Sequence, residues 1–200
     1  MLDLPSPKVA LSQASLPNGF ATALTRRRAV VTITDEMRRQ LDDHELEAVV
    51  AHELAHIANR DAVVMTVASV PRTLGRQPFG VDEAGFYLWF FLWPLGLVLY
   101  AWSSFLTLAL SRYREYSADS MSALATGRPE SLMSALERLS GEIAGIPEQD
   151  LRSLASLNQL FIVPVRSQER LHAVLRDHPP LDKRLSHLAS IARRLGKPGH

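Results

Sequence analysis

His52-Glu53-Leu54-Ala55-His56 is the stretch on which the reading of this chain turns. Histidines four residues apart lie on one face of an α-helix, about 6 Å apart along its axis at 1.5 Å per residue. Two imidazoles at that separation can meet one Zn²⁺ at roughly 2.0–2.1 Å each. Glu53 follows the first histidine directly, where a carboxylate reaches a water on the metal without ligating the metal. The stretch reads as the first two ligands and the general base of a catalytic zinc site.

A third ligand has to come from elsewhere. The extended motif that supplies a third histidine needs Gly at position 59 and His at 62; this chain has Asn59 and Ala62, which excludes it. The better source is Glu115, in Ser111-Arg112-Tyr113-Arg114-Glu115-Tyr116-Ser117-Ala118-Asp119. On a helix Glu115 and Asp119 share a face, so one can ligate while the other supports a ligand. The competing reading is an ordinary solvated face on which Arg112 and Arg114 pair with the acids. Two histidines and one carboxylate leave the fourth position to water, the geometry of a catalytic zinc rather than a closed structural one.

Composition bounds the rest. Two hundred residues suit one domain with a sizeable core. A net charge of +1 gives no case for nucleic acid. Without cysteine there is neither disulfide nor thiolate zinc site, which fits a reducing compartment. Residues 1–17 lack the continuous apolar core of a signal peptide.

Residues 86–110 contain no charged side chain, and the run exceeds the about 20 residues of a bilayer-spanning helix. Trp89, Trp93, Tyr100 and Trp102 are of the kind enriched at membrane interfaces. Pro94 and Gly96 predict a kink. A helix apolar all round would otherwise need burial that a domain this small can hardly supply. His56 precedes this run and Glu115 follows it, yet both must reach one metal, so the chain crosses a bilayer twice or not at all. The partner crossing would run from Ala62 to about Leu74, continuing the zinc helix, with Pro71 and Arg72 cutting it short of a normal span. A short tilted hairpin with residues 76–85 as its far loop is the expectation, and a re-entrant or interfacial segment is the alternative. The domain expected over 1–200 thus carries a membrane-associated insertion at 62–110, centred on 86–110.

Elsewhere, residues 19–24 and 29–34 read as strands around Thr25-Arg26-Arg27-Arg28. The arginines read as a solvated turn, with anionic headgroups the alternative partner. A small edge strand beside the zinc helix can hold an extended peptide by backbone pairing. Asp35 to Leu41 suits a short helix. Asp42 or Asp43 caps the zinc helix, with Glu45 completing a capping box after Asp42, and Leu46, Val49 and Val50 bury its first turns. The Glu115 helix runs to about Thr126, with Gly127 as C-cap. Pro129 opens the next helix, with Leu132, Leu136 and Leu139 on one face. Further helices are expected over 151–160, 167–176 and 180–195. His44, His172, His187 and His200 read as surface histidines.

His52 to Asp61 and Ser111 to Asp119 together resemble the two signatures of the HtpX-like membrane metalloproteases, relatives of the CAAX prenyl endopeptidase. Asn18-Gly19-Phe20-Ala21-Thr22 and His178-Pro179-Pro180-Leu181-Asp182-Lys183-Arg184 resemble further family motifs in the right order, so the likeness spans about residues 5–190. It departs in having Gly19 for the usual alanine, Ala23 for a glycine and Ala55 for the glycine before the second histidine. Family members usually open with two membrane spans, whereas this chain starts almost directly at the peptidase domain.

The resemblance implies a mainly α fold with a small β-sheet (α+β), a gluzincin-type zinc peptidase domain with an apolar membrane-associated helical segment. His52, His56 and Glu115 would bind one Zn²⁺ per chain, Glu53 would be the general base, and Asp119 would orient a zinc histidine. His178 would stabilise the oxyanion at the scissile carbonyl, with Arg184 as further support. The implied activity is metalloendopeptidase cleavage of membrane or misfolded proteins, on the bacterial cytoplasmic (inner) membrane with the site facing the cytoplasm. Expected partners are a protein or peptide substrate and the bilayer. Cleavage of prenylated peptides, or a non-catalytic membrane scaffold, are the rival readings.

Overall fold

The computed structural model describes residues 5–14, 16–23, 25–74, 83–144 and 179–196. Three strands, β1 (Lys8–Ser12), β2 (Gly19–Ala23) and β3 (Ala29–Thr34), form a mixed sheet in the order β1-β3-β2. β2 and β3 pair antiparallel around a single 3₁₀ turn at Arg26–Arg28, as their sequence suggests, with Ala21 opposite Val31. β1 runs parallel to β3 with Val9 beside Val31. From sequence alone this Pro- and Ser-containing segment reads only as extended. Its weak alternation explains why: Val9 and Leu11 are both exposed, so no buried face marks it as a strand.

The phase of the ladder decides which backbone groups of β2 face outward. The Thr34 N–H donates to the Asn18 carbonyl at 2.9 Å. In an antiparallel pair, alternate residues face the partner. Phe20 and Thr22 therefore bond β3, and Gly19, Ala21 and Ala23 turn their N–H and C=O groups to the open edge. A Cβ on Gly19 would meet Met37 Sδ at 3.3 Å. A side chain at position 19 would therefore press on the fully buried Met37.

α1 (Asp35–Gln40) is capped by Thr34, whose Oγ1 accepts from the Met37 N–H at 3.2 Å. α2 (Asp43–Ala58) begins at a capping box on Asp42. Its Oδ1 accepts from the His44 and Glu45 N–H groups, and Glu45 accepts from the Asp42 N–H. Such a cap is worth about 1 kcal/mol and fixes where the histidine helix starts. Asn59 and Arg60 end it, with Arg60 in the left-handed region (φ 56°). α3 (Asp61–Leu74) and α4 (Glu83–Thr126) follow, then α5 (Pro129–Ala144) and α6 (Leu181–Arg194). Gly127 closes α4 with φ 64°, a conformation that favours glycine.

The main core joins Val49 of α2, Met37 of α1, Ala123 of α4, Leu132, Leu136 and Leu139 of α5, and Leu188 and Ile191 of α6. A smaller cluster of Ala29, Val31 and Ile57 seats the sheet on the second half of α2. β3 therefore lies antiparallel to α2, with its Ala29 end beside Ile57.

α3 and α4 pack as a helical hairpin, in which Ser103 Oγ donates to the Ala68 carbonyl at 2.7 Å. α3 ends at Leu74 as expected, with Pro71 inside it, but α2 breaks before it at Asn59–Arg60, and α4 starts at Glu83, inside the stretch read as a loop. α4 also continues through Pro94 as one helix into the segment that carries Glu115. The helices expected at 151–160 and 167–176 lie outside the described residues.

Candidate metal centre

α4 crosses α2 in the opposite direction, which brings its acids to the histidines. Ser122 Oγ donates to the Ala48 carbonyl at 2.6 Å, and Asn59 Nδ2 donates to Ser117 Oγ at 3.2 Å. Between these two ties His52 Nε2 lies 3.2 Å from His56 Nε2, and each lies 3.7 Å from an oxygen of Glu115. Four ligands placed tetrahedrally at about 2.0–2.1 Å from a zinc ion are about 3.3 Å from one another. The two imidazole nitrogens and the carboxylate thus stand at near-ligand separations, and the set fits the ion. Among the described residues, this is the one group of His and acidic side chains compact enough to hold a metal.

Each histidine is held on its other ring nitrogen by a carboxylate. His52 Nδ1 lies 3.0 Å from Asp119 Oδ1, and His56 Nδ1 lies 2.6 Å from Asp61 Oδ2. Such contacts fix the tautomer that leaves Nε2 for the metal. Asp61, buried and also 3.1 Å from Arg114 Nε, was not singled out by sequence. The turn at Asn59–Arg60 breaks the helical period, so no spacing rule connects Asp61 to His56.

Arg184 is fully buried beneath this set. It donates from Nε and Nη2 to the two oxygens of Asp119 at 2.9 and 2.6 Å, and Nη1 lies 3.6 Å from Glu115 Oε2. Burial pushes the Asp119 carboxyl up, but Arg184 and His52 outweigh it and hold the group down at about 2. Burial disfavours the His52 imidazolium, yet the hydrogen bonds of Asp119 and Glu115 prevail and push it up to about 9. Burial works against the charge of Arg184 too, and Asp119 overcomes it, raising the group above its ordinary value.

Glu53 is buried beside the histidines, and its Oε2 accepts from the Ala21 N–H of β2 at 3.0 Å. Burial raises its pKa above the usual carboxylate value, against the pull of His52 and His56. A raised pKa suits a proton acceptor that must later give the proton up. His178 and His172 lie outside the described residues, as does His200. His44 is exposed as expected. His187 instead is half-buried, with Nε2 2.8 Å from Ser120 Oγ and its ring against Tyr116.

The family model described as Peptidase family M48 matches residues 1–192. Protease HtpX homolog 1 of Streptomyces coelicolor is 39% identical over 209 residues, covering 98% of this chain and 69% of that protein. Protease HtpX homolog 2 of Methanosarcina acetivorans is 37% identical over 206 residues, covering 96% and 69%. The crystal structure of S. mikatae Ste24p shares the fold at a TM-score of 0.57 and 20% identity. That likeness covers 90% of this chain and 46% of the Ste24p chain, so this protein spans about half its length. With two histidines, a glutamate and their supporting acids in place, the chain belongs to peptidase family M48, among its HtpX-like proteases.

Proposed function

We propose that this protein is a zinc-dependent endopeptidase that works at a membrane surface. The observation that carries the reading is the trio of His52, His56 and Glu115 at 3.2–3.7 Å from one another, with Glu53 beside it. Two imidazoles and a carboxylate suit zinc better than calcium or magnesium, which prefer all-oxygen sites. When bound, the ion acidifies the attacking water and polarises the scissile carbonyl. Glu53 takes the proton from that water and delivers it to the leaving amine nitrogen. The Ala21 N–H holds one of its oxygens, so the other receives the proton. Asp119 and Asp61 keep His52 and His56 oriented. Arg184 acts through Asp119 and Glu115, holding both in place. His178 is the proposed oxyanion donor; it adjoins the buried Pro179, which leads into the helix that carries Arg184.

The substrate is a protein or peptide bound in extended form along the outer edge of β2, where Gly19, Ala23 and the Ala21 carbonyl turn outward while the Ala21 N–H is held by Glu53. We assign residues 62–110 to the bilayer as a hairpin insertion in a single domain over 1–200. The natural targets on this reading are membrane or misfolded proteins, and the site faces the cytoplasm from a bacterial inner membrane. α3, at 14 residues, is about 21 Å long. It is shorter than a hydrocarbon core of about 30 Å, so the hairpin enters deeply on one side through α4.

The test is zinc stoichiometry on metal-free protein refilled with Zn²⁺, wild type beside Glu115→Ala. About one zinc per chain, lost or much weakened in the variant, is the expected result. Equal binding by both would remove Glu115 from the site, and no zinc in either would reject the metallopeptidase reading.

A further inference from the structure

The hairpin leaves the peptidase domain at one end, and that end carries a separate charge pattern. Ala23 and Ala29, which flank the turn between β2 and β3, pack in the cluster that contains Ile57 and Leu54 from the last turns of α2. The turn itself presents Arg27 and Arg28, both exposed. Lys8, exposed at the start of β1, pairs with Val30 in the same rim. Arg60, exposed, follows Ile57 by three residues and immediately precedes the apolar α3. Four cations from three separate segments thus converge where the apolar helices emerge. Asp61, the acid nearest in sequence, is buried and engaged with His56 and Arg114. The opposite end of the sheet and α2 bears Asp35, Glu36, Asp42 and Asp43, with Arg38 and Arg39 among them. A chain of net charge +1 thus has a basic rim at one end of this axis and a mixed, ion-paired surface at the other.

Arg60 adds an independent sign. A left-handed φ of 56° favours Gly or Asn, and an arginine there is strained. The chain thus places a long cation where a glycine would suit the turn better.

We propose that this end of the domain is a second membrane contact, in which Lys8, Arg27, Arg28 and Arg60 seat on the anionic headgroups of the bilayer that holds the hairpin. The proposal rests on the membrane reading of α3 and α4. Its consequence for the enzyme is geometric. β2 ends at Ala23 beside this rim, so the open strand edge rises from the lipid surface and a bound peptide meets the bilayer at one end of its groove. Each basic side chain near an anionic surface strengthens contact by on the order of fivefold, and salt weakens it over a screening length of about 8 Å at physiological ionic strength.

The whole chain lacks cysteine, so a single introduced one can carry a nitroxide. Thr25→Cys places it on the turn, where the Thr25 side chain makes no cap hydrogen bond. Val98→Cys places it on the exposed apolar face of α4. Both proteins go into vesicles of phosphatidylcholine alone and of phosphatidylcholine with phosphatidylglycerol, and lipid against water accessibility is read by power saturation. The expected result is position 98 in lipid in both, and position 25 at headgroup depth only in the anionic vesicles. Added salt should lift it, and so should Arg27→Glu with Arg28→Glu in a chain whose melting in detergent is unchanged. Arg60→Gly should weaken the docking while relieving the strained turn. Position 25 in water in both vesicles, or docked equally in both, would overturn the proposal while leaving the hairpin intact. Position 98 in water would instead overturn the membrane reading, and this proposal with it.

Discussion

The two halves of α4 obey opposite rules. From Ser111 to Thr126 the buried positions are Ser111, Glu115, Ala118, Asp119, Ser122 and Ala123, a stripe at helical spacing turned toward α2, α5 and α6. From Phe90 to Leu110 the buried positions are Ser103 and Thr107, while Val98, Trp102 and Phe105 stand 64–68% exposed. The first half hides polar groups because a metal centre needs them dry and paired. The second half hides hydroxyls against α3 and shows its apolar surface outward, the inverse of a water-soluble helix. On the proposed membrane reading, one continuous helix meets two solvents. The difference teaches that exposed apolar area, taken with what is buried opposite it, identifies the medium better than hydropathy does.

The comparison can be broken at several points, and the largest effect belongs to the polar half. Glu53→Gln should keep the metal and lower proteolysis by about 10²–10⁴-fold. A peptidase assay beside metal content checks this, and appreciable turnover by the metal-loaded variant would reject the general-base role. In the apolar half, Val98→Asp should cost insertion about 2.5–3.5 kcal/mol. That lowers the insertion equilibrium constant on the order of 100-fold, read by vesicle flotation across a lipid titration, and a variant whose titration matches wild type would move α4 out of the bilayer.

Back in the polar half, Asp119→Ala should weaken zinc about 10–100-fold by titration calorimetry. It should also destabilise the fold by about 3–5 kcal/mol, because it strands the buried charge of Arg184. Asp61→Ala should weaken zinc similarly through His56; unchanged affinity would make Asp61 a mere partner of Arg114. The same region has a pH signature. In metal-free protein His52 is raised from 6.5 to about 9. Its contribution to stability is complete below about 6.5 and is lost as pH rises through about 9. Zinc must displace that proton, so affinity should rise about tenfold per pH unit from about 7 to about 9. The smallest effect lies in the hairpin seam, where Ser103→Ala should cost about 0.6 kcal/mol, measured by unfolding in bicelles.

Sequence went far on this molecule where local rules hold. The Asp42 capping box, the glycine after Thr126 and Pro129 at the start of α5 are each set by the residues themselves. Leu132, Leu136 and Leu139 are buried as their spacing requires. His52, His56 and Glu115 converge because α2 and α4 are both regular and antiparallel. What escaped was set by tertiary contact. β1 is a strand only because β3 offers it a partner. α3 is a separate helix from α2, because the chain turns through the left-handed Arg60 between them. Asp61 reaches His56 across a left-handed turn that no period describes, and His187 is drawn onto Ser120 by the packing of α6 on α4.

The bond from the Ala21 N–H to Glu53 also decides how an inert form for trapping substrates should be made. Glutamine keeps an acceptor where the carboxylate stood, so the edge strand stays anchored to α2 and the groove retains its shape. Alanine would orphan the N–H at a cost of about 1–3 kcal/mol and loosen the strand that grips the bait. Captured chains recovered on the glutamine form would therefore report what the working enzyme selects, whereas those recovered on the alanine form would report a groove that has lost its anchor.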